Sequence, residues 1–198
     1  MARMAAAERR EQIAAVARGL FAERGYRAVG VEEIARRAGV TPPVLYDHFD
    51  SKRDLYAHLL EQQAEQLATR VARATGEVGG GKARLRAAFD AFFALAEEQP
   101  LIAGDRAGDG ELGATARRRD GQAHAALVEV LGSGGRLFAG EPERERALDL
   151  AAQMVRHGLL GLSLWWREHP ETPRAVLVDH AMDIAWTGLR ALRKGGRR

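Results

Sequence analysis

Residues 25 to 55 read Gly25-Tyr-Arg-Ala-Val-Gly-Val-Glu-Glu-Ile-Ala-Arg-Arg-Ala-Gly-Val-Thr-Pro-Pro-Val-Leu-Tyr-Asp-His-Phe-Asp-Ser-Lys-Arg-Asp-Leu55, and their punctuation decides the fold. Val31, Ile34, Ala35 and Ala38 recur at helical spacing, and Gly39 follows where a helix needs a residue that accepts positive φ. Thr41 is the expected N-cap of a second helix, and Pro42 stands at its first position, where a missing N–H costs nothing. Pro43 is tolerated for the same reason, because the first four N–H groups of a helix have no intrahelical partner. Leu45 and Phe49, four residues apart, are expected to point inward, which leaves Pro42, Val44, Asp47 and His48 on the outer side. Ser51 to Asp54 has the form of a capping box that launches another helix at Leu55. Two short helices around a glycine turn, the second presented by its N-terminal end, make a helix-turn-helix that fits a DNA major groove.

Outward from this stretch the helical period persists. Ile13, Val16, Ala17, Leu20 and Phe21 form one stripe, so a preceding helix is expected to complete a three-helix core. Leu85, Ala88, Phe89, Phe92, Phe93 and Ala96 predict another helix, set off by Gly76 and by Gly79 to Gly81, with Pro100 just past its end. Residues 103 to 113, with four glycines, read as a loop or short broken helix. A helix is expected from about Thr115 to Leu131, ended by Gly132 to Gly135. Pro142 opens a long helix through Leu150, Met154, Val155, Leu159, Leu162 and Trp165, and Thr172-Pro173 opens a last one carrying Leu177, Ala181, Ile184, Ala185 and Leu192. With no convincing alternation of period two, the fold class is all-α. The expected division is a DNA-binding domain over residues 1–53 and a helical regulatory and dimerisation domain over 54–198.

Composition fits this reading. The chain has 198 residues, 46% of them hydrophobic, enough for a sizeable core. It has no cysteine, which excludes disulfides and thiolate metal sites. No segment approaches the apolar length of a membrane span, so a cytoplasmic protein without membrane association is expected. The net charge is +3, yet residues 1–53 carry ten basic against seven acidic groups and the last nine residues five basic groups alone. Residues 54–189 hold fifteen basic and twenty acidic groups. The DNA-facing end is basic and the middle acidic.

Gly25-Tyr26, Ile34-Ala35, Ala38-Gly39-Val40-Thr41, Leu45-Tyr46, His48-Phe49 and Ser51-Lys52 through Leu55 resemble the N-terminal domain of the tetracycline-repressor (TetR) family over about the first quarter of the chain. The resemblance implies a homodimeric all-helical transcription regulator, usually a repressor, that leaves a near-palindromic DNA operator when a small effector binds its C-terminal domain. The helix beginning at Thr41 would enter the major groove, with Thr41, Pro42, Pro43, Val44, Tyr46, Asp47, His48 and Lys52 as the DNA-binding set. Tyr46, His48 and Lys52 offer donors to phosphate, and Val44 an apolar contact for a thymine methyl. Arg9, Arg10, Arg36 and Arg37 are supporting phosphate candidates. Family members usually carry Thr or Ser at the positions of Val29 and Gly30, and this chain lacks both hydroxyls. Asp47 also departs, placing a carboxylate near phosphates unless it accepts from a cytosine amino group or a neighbouring arginine neutralises it. The family further implies a dimer through the two C-terminal helices, where Ala151, Gly158, Gly161 and Gly188 permit close approach. It also implies an effector pocket near Phe89, Phe92, Phe93, Met154, His157 and Trp165, for a small, hydrophobic ligand. The helix starting near Ser51 would be the lever between the two functions.

Two other classes of function compete. Gly76 to Lys82 satisfies most of a phosphate-cradling loop, but Ala83 stands where a magnesium-binding Ser or Thr is needed and a helix, not a strand, precedes it. Gly132-Ser-Gly-Gly135 is a weaker dinucleotide signal, with Leu137 at the third glycine position. Asp105, Asp109 and Glu111 match no cation-loop template, and His124, His157, His169 and His180 are too far apart for a local ligand pair. No catalytic residue, metal ligand or cofactor is expected, and the chain is not expected to be an enzyme. The remaining alternative is a helical interaction adaptor with a degenerate helix-turn-helix, motivated by Val29, Gly30 and Asp47.

Overall fold

The computed structural model describes residues 6–99, 111–132 and 143–195. Every regular element among them is a helix: α1 (Ala6–Ala28), α2 (Val31–Arg37), α3 (Pro42–Tyr46), α4 (Lys52–Gly76), α5 (Gly81–Glu98), α6 (Glu111–Gly132), α7 (Arg144–Glu168) and α8 (Arg174–Gly195). The described residues within 1–64 and 100–119 make one compact unit, and those within 65–99 and 120–198 a second. The first unit runs past residue 53 because Leu55, Tyr56, Leu59 and Leu60 of α4 are buried in its core with Ile13, Phe21, Ile34, Leu45 and Phe49.

Local chemistry explains the ends of the short helices. Gly39 has φ +67, and the N–H groups of Gly39 and Val40 donate to the carbonyls of Arg36 and Ala35 at 3.2 and 2.9 Å. That paired closure satisfies carbonyls the end of α2 would otherwise leave open. Ser51 Oγ accepts from the Asp54 N–H at 3.0 Å, the bond expected of a cap three residues ahead. Thr41 differs from expectation: it is the N-cap of α3 but makes no side-chain cap bond. Pro43 removes the donor at the second helical position, and the Val44 N–H at the third makes no bond to the hydroxyl. Gly25, at φ +76, interrupts α1 and lets Tyr26 turn back onto the core.

The second unit is built on α5, α7 and α8, with Leu85, Phe89, Phe93, Leu148, Ala152, Leu159, Trp166, Leu177, Val178 and Met182 in its core. Exposed ion pairs run along α5 and α8: Arg86 to Asp179 at 2.5 Å, and Arg174 to Asp90 at 3.2 Å and to Glu97 at 2.8 Å. Early α5 meets Asp179 and late α5 meets the first residue of α8, so the two helices are antiparallel. α6 begins at Glu111 rather than near Thr115, so residues 111–113 belong to it and not to a separate loop or short broken helix. Residues 103–110, Pro142 and Gly134-Gly135 lie outside the described residues, as do Asp105 and Asp109. The α8 start follows Pro173, whose carbonyl accepts from the Val176 N–H at 2.9 Å. No helix among the described residues is long and apolar enough to cross a membrane.

Candidate nucleic-acid interface and apolar cavity

α3 is five residues long. Leu45 and Phe49 are fully buried beneath it, while Thr41, Pro43, Tyr46 and Asp47 are exposed and Pro42, Val44 and His48 half-buried. The outward face therefore centres on Pro43, Tyr46 and Asp47. It differs from the expected one in that Val44 and His48 are half-buried and Pro43 is exposed. Tyr46 is half exposed. The Asp47 carboxylate has no ion-pair partner among the described residues, so no arginine neutralises it.

The basic groups divide sharply. Lys52 is folded back, its Nζ 4.2 Å from the centre of the Tyr26 ring. Burial holds its ammonium below the ordinary lysine value and raises the Tyr26 hydroxyl against the opposing pull of Arg53. Tyr26 in turn packs 4.8 Å from Tyr56, which meets Phe21 edge-on at 5.1 Å. Arg37 pairs with Glu33 at 3.3 Å, and Glu33 is also held by Arg24 at 2.8 Å. Arg9 donates to Gln12 at 3.2 Å. Arg10 is bound to the His48 carbonyl and lies over Phe49. Arg36 is exposed and has no ion-pair partner among the described residues, which leaves it the least engaged of the four arginine candidates.

The departures at Val29 and Gly30 now separate. Val29 is 1% exposed and packs in the core, so its methyls replace a hydroxyl where there is no DNA to meet. Gly30 is the exposed N-cap of α2, and a Cβ there would meet only Glu32 Oε2 at 3.4 Å. Space for a serine exists.

In the second unit, Phe89, Ala151, Met154, Val155, Leu159 and Ala185 are among the residues around a cavity of about 370 Å³. No lining side chain is polar. The cavity opens where Met154 and Ile184 are 78% and 75% exposed. Of the six expected pocket residues, only Phe89 and Met154 reach it. Phe93 is fully buried against Trp166, ring centres 6.1 Å apart, and Phe92 is half-buried beside it. His157 is exposed, its Nδ1 2.8 Å from the Gln153 carbonyl, and Trp165 is exposed and stacked on His169 at 4.0 Å. Helical spacing identified the apolar positions, but the two adjacent tryptophans face opposite ways, and the core member is Trp166. Ala181, Ala185 and Gly188, small residues on α8, help form the void and carry no chemical signal of their own.

The other candidate sites remain dispersed. Gly76 ends α4 and Gly81 begins α5, so the Gly76 to Lys82 loop joins two helices. His124 binds Asp149 at 2.6 Å, and His169 and His180 each sit 2.9 Å from a carbonyl one turn back. The described residues hold no group of three or more metal-ligating side chains.

A glycine-closed helix pair with an exposed second helix, followed by a helical unit with an apolar cavity, defines a helix-turn-helix DNA-binding regulator. The profile of bacterial regulatory proteins of the tetR family matches residues 13–59. The chain is 30% identical over 187 residues to the transcriptional activator FasR of Mycolicibacterium smegmatis, spanning 92% of this chain and 83% of the relative. It is 29% identical over 191 residues to the transcriptional repressor KstR2 of Mycobacterium tuberculosis, spanning 95% and 83%. The crystal structure of FadR from Bacillus subtilis with stearoyl-CoA superposes with a TM-score of 0.72 at 22% identity, over 88% of this chain and 96% of that one. The chain belongs to the TetR family of DNA-binding transcriptional regulators.

Proposed function

We propose that the chain is a homodimeric repressor that binds a near-palindromic operator through α3 of each copy and leaves it when an effector with an aliphatic chain enters the cavity. The observation that carries this reading is the wholly apolar lining of a space of about 370 Å³, a size typical of small-molecule sites. Such a lining gives affinity to hydrocarbon and nothing to a charged group, so the polar end of the effector lies outside. FadR, one of the structural neighbours, was solved with stearoyl-CoA, and a long-chain acyl thioester has this division.

Three helical glycines bear on the dimer. A Cβ at Gly158, Gly161 or Gly188 would meet nothing within 4 Å, so no packing within the chain requires them. Each costs its helix up to about 1 kcal/mol relative to alanine. All three are exposed, and Gly158 and Gly161 follow Leu150 and Met154 along α7. Gly158 and Gly188 also border the cavity, but Gly161 does not, and a second copy approaching along α7 gives it a purpose; two-fold symmetry matches a palindromic site.

In this reading Tyr46 donates to phosphate, Thr41 offers its uncapped hydroxyl, and Asp47 restrains non-specific binding. α4 is continuous from Lys52 to Gly76 and is the route by which effector and DNA oppose one another, each weakening the other by the same factor. Repression needs only occupancy of the operator. Activation is the second reading, favoured by the FasR relative, and transcription from a template carrying the operator, with and without protein, separates the two by sign.

The test of the effector is release of selected DNA by stearoyl-CoA, repeated with Ala185→Trp, which fills the void. Release from wild type, and none from a variant that still binds DNA, is expected. Equal release from both proteins, or none from wild type with any acyl thioester, would remove the cavity from the account.

A further inference from the structure

A helix of five residues does not hold its own conformation, so the direction of α3 is set by whatever grips it. Leu45 and Phe49 anchor its inner side, but apolar burial is non-directional and fixes depth better than angle. The directional contacts come from α1. The Arg10 guanidinium donates to the His48 carbonyl, just past the end of α3, and its Cζ lies 4.0 Å from the centre of the Phe49 ring. Gln12 Nε2 donates at 3.1 Å to the carbonyl of Ala38, the C-cap of α2. Its Oε1 accepts from Arg9 at 3.2 Å, which fixes which way the amide faces. One helix thus binds the C-terminal end of both members of the pair, where carbonyls lack intrahelical partners and a cationic donor is favoured.

We propose that Arg10, seconded by Gln12, is a positioning residue for DNA recognition: it sets the angle of α3 through the His48 carbonyl and does not contact phosphate. The proposal rests on the DNA-binding reading above and replaces, for Arg10, the phosphate role its charge suggests. Its cation is spent inside the unit, whereas Arg36 is not.

The experiment measures affinity for DNA selected by the wild-type protein, over a salt series, for wild type, Arg10→Met, Arg10→Lys and Arg36→Met. Amide hydrogen exchange is followed in the same DNA-free proteins. Arg10→Met is expected to weaken binding at least about tenfold, the loss of a charge-assisted bond, with the slope of log K against log salt unchanged. Arg10→Lys, which keeps a cationic donor, recovers most of the affinity. Exchange at Asp47 to Phe49 quickens in Arg10→Met while α5 and α8 match wild type. A slope reduced by about 1 per half-site would make Arg10 a phosphate contact and overturn the proposal, as would unchanged affinity or unchanged exchange. If Arg10→Met does not fold, Gln12→Leu tests the same clamp at α2: faster exchange at Gly39 and Val40 with weaker, equally salt-dependent binding supports it, and no change overturns it. Should the wild-type protein select no DNA, the DNA-binding reading itself fails, and the exchange data still decide whether Arg10 holds α3.

Discussion

Among the described residues, the first unit closes its core and the second does not. Of their large apolar side chains left exposed, Tyr46 alone belongs to the first, whereas Val78, Leu150, Met154, Leu164, Trp165, Val176 and Ile184 belong to the second, six of them on α7 and α8. Tyr46 is amphipathic and sits on α3, the proposed reading helix, so its exposure suits a polar partner. Met154 and Ile184 have no polar atom to offer water, and their exposure calls for an apolar one. The same helical periodicity therefore serves two ends: it seals one unit around itself and equips the other for contact with something else.

Opening the first core should have the largest effect. Phe49→Ala removes a fully buried ring together with the platform for Arg10, and about 3–5 kcal/mol of stability should go with it. Chemical denaturation should show that loss, and DNA binding should disappear with it. Leu150→Asp sharpens the contrast from the other side. Because the side chain is 59% exposed and lies off the cavity lining, thermal unfolding at low concentration should hardly change, but self-association by sedimentation should weaken by roughly 30-fold, as for a central interface residue. Unaltered association would leave the stripe without its proposed partner.

Smaller effects test the reading face. Asp47→Ala removes an unpaired carboxylate that the proposed docking sets beside the phosphates, and affinity for random DNA should rise severalfold at low salt and converge with wild type as salt increases. The smallest change concerns Gly30. Serine fits the extended N-cap, at φ −92 and ψ 156, and Gly30→Ser should stabilise α2 by a few tenths of a kcal/mol. A loss of stability on denaturant titration would show that the glycine is required after all.

What the sequence disclosed differs between the units in the same way. Gly39, Ser51, Leu45 and Phe49 announce their roles because each answers a local requirement: a positive φ, a cap, an inward phase. Thr41 misled because Pro43 removes one of the two N–H donors a cap can use, and the hydroxyl does not engage the other, at Val44. Lys52 and Arg10 carry charges suited to phosphate, yet each is engaged by an aromatic ring that only the folded unit brings near. In the second unit α7 is apolar on more than one side, so periodicity alone does not assign Trp165 to the surface and Trp166 to the core. The cavity was least legible, being made by Ala151, Ala185 and Gly188 through what they fail to fill.

The central claim is that the exposed face of α3 reads DNA as one half of a symmetric pair. Selection from a random DNA library with the purified protein at physiological salt, followed by sequencing, tests it most directly. The account predicts enrichment of a near-palindrome bound by two copies; no enrichment from a protein that is folded and dimeric would contradict it and leave the helix-turn-helix without a reading function.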